Sequence, residues 1–161
     1  MGLLSRLLRP APRLAPELSV RLQRLSELLG KKPLILYFYP ADFTPGCTKE
    51  ACDLRDLHVR ILASGLRVVG VSPQPPDSHR RFREEFGLPF VLLSDEDKTA
   101  IKAYGVDGPL GIGVRRATFL VDERRRIVDA VLADLRIGRH QEFVERAVAV
   151  REGRAGSRRP G

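Results

Sequence analysis

Cys47 and Cys52 are the only thiols in the chain, and they stand five residues apart within "YFYPADFTPGCTKEACDLRD". A closely spaced pair of this kind suits nucleophilic, redox or metal-binding chemistry. The residues leading into Cys47 favour a reactive thiol. Thr44 can cap a helix, Pro45 loses nothing by lacking an N–H in a first turn, and Gly46 lets another group approach the backbone closely. Cys47 then falls in the first helical turn, where unpaired N–H groups and the positive end of the helix dipole favour its thiolate. Its setting is that of a reactive, partly exposed cysteine.

Cys52 lies further along the same helix. With about 1.5 Å of rise and about 100° per residue, the two Cα atoms are about 8.7 Å apart and about 140° round the axis. A disulfide needs less than about 7 Å. Either the cysteines never bond, or they bond only when this turn unwinds. A zinc site would need further ligands beside them, and His58, His79 and His140 are scattered singly. A cysteine hydrolase would need a base, and no histidine has a position that recommends it. The bland reading, two small buried hydrophobes, fits Cys52 better than Cys47.

The elements that must hold these residues are legible in the apolar pattern. "LILYFY" (34–39) and "LRVVGVS" (66–72) read as buried strands. Between them, residues 45–63 carry Leu54, Leu57, Ile61 and Leu62 at helical spacing. The three make a βαβ unit with parallel strands and a right-handed crossover. A helix follows in "PDSHRRFREEFG", capped by Asp77 or Ser78 and ended by Gly87. "PFVLLSD" is a short strand, and "DEDKTAIKAYGV" a helix with Ile101 and Tyr104 inward. "RATFLVD" and "RIVDAVLA", joined by the turn "DERR", form an antiparallel hairpin, and "RHQEFVERAVAV" a closing helix. The order β-α-β-α-β-α-β-β-α describes an α/β sandwich around a mixed central sheet.

Composition narrows the function classes. At 161 residues, 43% hydrophobic and 30% charged, the chain is one globular domain able to bury a core, without internal repeats. The net charge of +8 invites a nucleic-acid reading, but much of the excess sits at the ends, in Arg6, Arg9, Arg13 and "REGRAGSRRPG". Elsewhere, as in "RRFREEF" and "VDERRR", the signs mix as on a solvated face, so no specific nucleic-acid binding is expected. The leucines of "MGLLSRLLRPAPRLAPELS" are interrupted by Arg6 and Arg9, which argues against a secretory signal or a membrane anchor. Arg6 also breaks the myristoylation pattern. A cytoplasmic protein is expected.

"PADFTPGC" matches the peroxiredoxin active-site pattern of Pro40, Thr44 and Cys47, and the longer stretch resembles the bacterioferritin-comigratory-protein, or PrxQ, branch of the AhpC/TSA family. The resemblance continues through "VVGVSPQPPDSHRRFREEFGLPFVLLSDEDKTAIKAYGV" and "RRATFLVDERRRIV", covering roughly residues 20 to 148. It implies a thioredoxin-like fold, a mixed sheet flanked by helices, and reduction of hydrogen peroxide or organic hydroperoxides without a cofactor or metal. Cys47 would be the peroxidatic cysteine and Cys52 the resolving one, joined in an intramolecular disulfide that a thioredoxin- or glutaredoxin-type protein reduces. Thr44 would bind thiolate and peroxide, Pro40 would shield the pocket, Arg116 would supply positive charge, and Glu50 would orient Arg116. Arg115 is adjacent, but the family arginine directly precedes a strand such as "ATFLV", which favours Arg116. The expected organisation is a variable extension at 1–16, the catalytic domain at 17–152 and a basic flexible tail at 153–161, acting as a monomer. Two other readings compete: a thioredoxin-like disulfide oxidoreductase without peroxidase activity, although this chain has C-x4-C and not C-x-x-C, and a non-enzymatic basic binding protein.

Overall fold

The computed structural model describes residues 31–156. Five strands, β1 (Leu34–Phe38), β2 (Arg67–Ser72), β3 (Val91–Ser94), β4 (Ala117–Val121) and β5 (Ile127–Leu132), form one sheet in the order β3-β2-β1-β4-β5. β1 pairs in parallel with β2, and β2 with β3, while β1–β4 and β4–β5 are antiparallel. The mixed α/β sandwich expected from the apolar pattern is the fold observed. β1 is central and every residue in it is buried. Ile35 and Tyr37 enter one hydrophobic cluster, Leu34, Leu36 and Phe38 the other, as the period of two requires when both faces are covered.

Helices α1 (Pro45–Ala63), α2 (Pro76–Phe86) and α4 (Gly138–Gly156) contribute to the first cluster, through Leu54, Ile61, Phe82, Phe143 and Val144. Helix α3 (Thr99–Ala103) supplies Ile101 to the opposite face, joined by Tyr104 just beyond its end. Each buried Leu, Ile, Val or Phe side chain among them contributes about 1.5–3 kcal/mol by leaving water. Gly70 in β2 makes room for this packing: a Cβ there would stand 2.8 Å from the Tyr37 ring and 2.7 Å from Leu92.

Several local expectations are corrected. α2 starts at Pro76, with Pro75 at the cap position, so Asp77 and Ser78 lie inside its first turn and neither caps it. The Ser78 hydroxyl is instead drawn to Asp42 across 2.7 Å. Gly87 does end the helix, in the left-handed conformation. Leu62 faces outward, at 40% exposure, because burial on α1 follows the stripe Cys47–Glu50–Ala51–Leu54–Ile61. α4 runs to Gly156, four residues into the segment read as a tail. The extension at 1–16 lies outside the described residues.

Candidate active site

The sheet register brings several of the candidate residues together. Phe38, the last residue of β1, pairs with Ala117, the first of β4. The loop leaving β1 toward α1 and the arginine preceding β4 therefore meet at one end of the sheet. Arg116 and Thr118 flank Ala117 and share a face, whereas Ala117 and Phe119 belong to the opposite cluster. On α1, Cys47 and Glu50 are one turn apart on the buried stripe.

Cys47 is 1% exposed, not partly exposed as its setting suggested, because the α1 stripe carries it into the core. Arg116 Nη2 donates to its Sγ across 3.4 Å, and Nη1 donates to Glu50 Oε2 across 2.5 Å. Arg116 is 6% exposed and Glu50 2%, so this is a desolvated pair with the sulfur attached to it. Burial pushes the Glu50 carboxyl up to about 7 even though Arg116 opposes the shift. Burial disfavours the Arg116 charge, but Glu50 and Cys47 more than offset it, and the guanidinium is held above its ordinary value. Arg115 turns outward to Asp134, 2.7 Å away. Gly46 serves the close approach its position suggested, since a Cβ there would lie 3.1 Å from Arg116 Nη2 and 2.9 Å from Ile137 Cδ1.

Thr44 occupies the cap position of α1 with extended backbone, but its hydroxyl makes no cap bond. It donates back to Ala41 O at 2.9 Å, tightening the loop in place of the helix end. Pro40 is half-buried at the mouth of that loop. Cys52 is half-buried on α1, the helix is continuous, and both cysteines are free.

Two buried polar groups were not anticipated. Asp42 accepts from Tyr39 Oη at 2.7 Å and Ser78 Oγ at 2.7 Å, and its Oδ2 lies 2.8 Å from His79 Nδ1. His79 Nε2 in turn lies 3.2 Å from Leu93 O. Burial opposes the Asp42 charge, yet these bonds hold its carboxyl below the ordinary range. The cluster ties the loop before Cys47 to α2 and β3, and in that loop Phe43 sits in left-handed backbone at φ 63° with its ring against Phe82. On the other side of the site, His140 lies 3.6 Å from Glu50 Oε1. The only trace of either in the sequence is a histidine inside an otherwise ordinary amphipathic helix.

Residues 10–130 match the AhpC/TSA family. The chain is 43% identical over 122 residues to "Putative peroxiredoxin bcp" of Coxiella burnetii, covering 72% of this chain and 80% of that one. It is 40% identical to "Peroxiredoxin Bcp" of Bacillus subtilis, covering 65% of this chain and 70% of that one. Its fold superposes on Peroxidoxin BcpB of Mycobacterium tuberculosis with a TM-score of 0.71 and 36% identity, over 78% of this chain and 84% of that one. The Xanthomonas campestris Peroxiredoxin Q structure gives 0.70 at 31% identity, over 77% and 82%. With Cys47 and Arg116 placed as described, the chain belongs to the AhpC/TSA family, in its Bcp/PrxQ peroxiredoxin group, and is a thiol-dependent peroxidase.

Proposed function

We propose that Cys47 is the peroxidatic thiol, that Arg116 and Glu50 form its electrostatic frame, and that Cys52 resolves the oxidised sulfur within the same chain. The observation that carries this reading is the Arg116 fork, which bonds Cys47 Sγ with one arm and Glu50 with the other. The thiolate attacks one oxygen of the hydroperoxide, the O–O bond breaks, and the departing oxygen takes a proton to leave as water or an alcohol. Arg116 and the first N–H groups of α1 stabilise the charge as it moves. The Thr44 oxygen retains lone pairs able to accept from the hydroperoxide O–H, and Pro40 covers the loop against water.

Cys47 is then a sulfenic acid. The Cys52 thiol condenses with it, releasing water and forming the disulfide, and a thioredoxin- or glutaredoxin-type dithiol reduces that bond. The geometry of an intact helix forbids the bond, so the start of α1 must unwind in each cycle. The catalytic unit includes the whole of α4, to Gly156, and works as a cytoplasmic monomer on hydrogen peroxide and organic hydroperoxides. Among the described residues no helix is long and apolar enough to cross a membrane. The test is peroxide consumption coupled to a thioredoxin system. Wild type should turn over and Cys47→Ser should not. Dithiol–disulfide exchange with no peroxide consumption would establish the disulfide-oxidoreductase reading instead.

A further inference from the structure

Glu50 has two carboxylate oxygens, and only one has a hydrogen-bond partner. Oε2 takes the Arg116 bond, while Oε1 is buried without one. His140 Nδ1 stands 3.6 Å from Oε1. The ring's proton can be placed from its neighbours. Nε2 lies 2.9 Å from the carbonyl oxygen of Ala133, which only accepts, so Nε2 carries the hydrogen. Nδ1 is left with a lone pair, which accepts from the Thr118 hydroxyl at 2.9 Å. A carboxylate oxygen and a nitrogen lone pair thus face each other in a site where both side chains are 2% exposed. One proton held there would remove the repulsion between the carboxylate oxygen and the lone pair.

We propose that His140 is a positioning residue of the peroxidase site: with Glu50 it holds one exchangeable proton, whose presence leaves the Arg116 charge to the Cys47 thiolate. The inference rests on the reading of Cys47 and Arg116 as the reacting pair. Arg116 donates to both Glu50 and Cys47. With the proton in place, the Glu50–His140 pair is neutral overall and the guanidinium balances the thiolate. With the proton gone, the carboxylate takes that charge, and a thiolate becomes a second buried anion against a single cation.

The surroundings set where the proton leaves. Facing Glu50 are Arg116 before β4, Asp53 on its own helix, Tyr37 from β1 and His140 from α4. Facing His140 are Arg116, Asp134 beyond β5 and Arg139 on its own helix. Burial raises the carboxyl to about 7 and lowers the imidazole from its ordinary 6.5, so the order of their proton affinities inverts and the shared proton resides on Glu50, facing Nδ1.

Thr118 makes the idea sharply testable, because its hydroxyl occupies the lone pair that would take the proton. Single-turnover peroxide rates should be measured from pH 5 to 9 in wild type, Glu50→Gln, His140→Gln, Thr118→Val and Cys47→Ser. Wild type should show an inflection near neutral pH, with the rate per thiolate falling as the pair loses its proton. Glu50→Gln should lack it. His140→Gln removes Nδ1 and should move the inflection to lower pH by about one unit, a tenfold loss in proton affinity. Thr118→Val frees Nδ1 and should move it upward. Ring ¹⁵N shifts of His140 in the wild-type protein, which needs no variant to fold, should show the Nε2–H tautomer at high pH and a transition at the pH of the rate inflection. An inflection unmoved in both variants, shifts of the same sign, or a ring that does not titrate with the rate would overturn the proposal. Turnover in Cys47→Ser would instead overturn the underlying reading of the site.

Discussion

Arg116 and Cys47 are 69 residues apart in sequence, yet the guanidinium Nη2 donates to the thiol sulfur across 3.4 Å while Nη1 holds Glu50. A planar fork can make both bonds at once and a lysine ammonium, a single point charge, cannot replace its geometry. Arg116→Lys should therefore lower the second-order rate with peroxide by about 10²–10³, with the fold retained. Arg115, paired outward with Asp134, should tolerate the same change with little loss. Stopped-flow rates on the two variants decide the register, since equal losses would place the functional arginine wrongly.

Gly46 is where the backbone of α1 comes closest to that guanidinium. An alanine Cβ would meet Ile137 at 2.9 Å and Arg116 Nη2 at 3.1 Å, tighter than ordinary contact. The Gly46→Ala variant should keep its melting temperature within a few degrees and lose about tenfold in peroxide rate, because displacing a positioned group by under an ångström weakens it. An unchanged rate would show that Arg116 has room to yield.

Oxidation with one equivalent of peroxide should lower the mass by two hydrogens and leave the protein monomeric on a non-reducing gel. The helix geometry requires the start of α1 to open, whereas Leu54 and Ile61, both buried, should hold its later turns. Amide exchange should accordingly rise across residues 44–54 and stay low beyond them. Cys52→Ser should accumulate sulfenic acid and then overoxidise. A disulfide-linked dimer from wild type would move the resolving sulfur to another chain.

Asp42 should be a major source of stability in the loop before Cys47. Asp42→Asn weakens three buried bonds to one carboxylate and should cost about 3 kcal/mol at pH 7 in urea unfolding. The folded protein holds this carboxyl below its ordinary 3.8, so its stabilisation is present above that value and is lost as pH falls through the folded one. The variant should therefore show a flatter acid limb below about pH 4, and a parallel limb would mean that the charge is not what the network stabilises.

Glu50 has the opposite sign. Its carboxyl rises from 4.5 to about 7 in the folded protein, so the folded state binds the proton more tightly, and that stability is lost as pH rises through this window. Between pH 4.5 and 7 wild type should lose on the order of 3 kcal/mol relative to Glu50→Gln, at about 1.4 kcal/mol per unit. Denaturant midpoints for both proteins at pH 5 and pH 8 measure the difference. Equal slopes would show that Arg116 keeps the carboxylate charged throughout.

Much of the site could be read from local chemistry alone. The Thr-Pro-Gly approach to Cys47 specifies a helix start at Pro45, and the alternation of β1 with the Leu54 and Ile61 spacing of α1 specifies a βαβ unit, because each depends on neighbours within a turn or a strand. The resemblance of "PADFTPGC" and "RATFLVD" supplied the candidate roles, and the comparisons support the family they imply.

What the sequence could not fix are relationships set by register and by packing across the sheet. The resemblance of "RATFLVD" favoured Arg116 over Arg115, but the physical reason lies in the pairing of Phe38 with Ala117, which turns Arg116 inward and leaves Arg115 outside. The helical stripe that buries Glu50 carries Cys47 into the core as well, so a thiol that local signals placed near solvent is 1% exposed. His79 and His140 are isolated in the chain, and only the fold brings one against Asp42 and the other against Glu50, 90 residues away along the chain. Sequence spacing governs what a residue's own helix or strand does. The desolvation and the charges around a titrating group come from elements that meet only when the chain has folded.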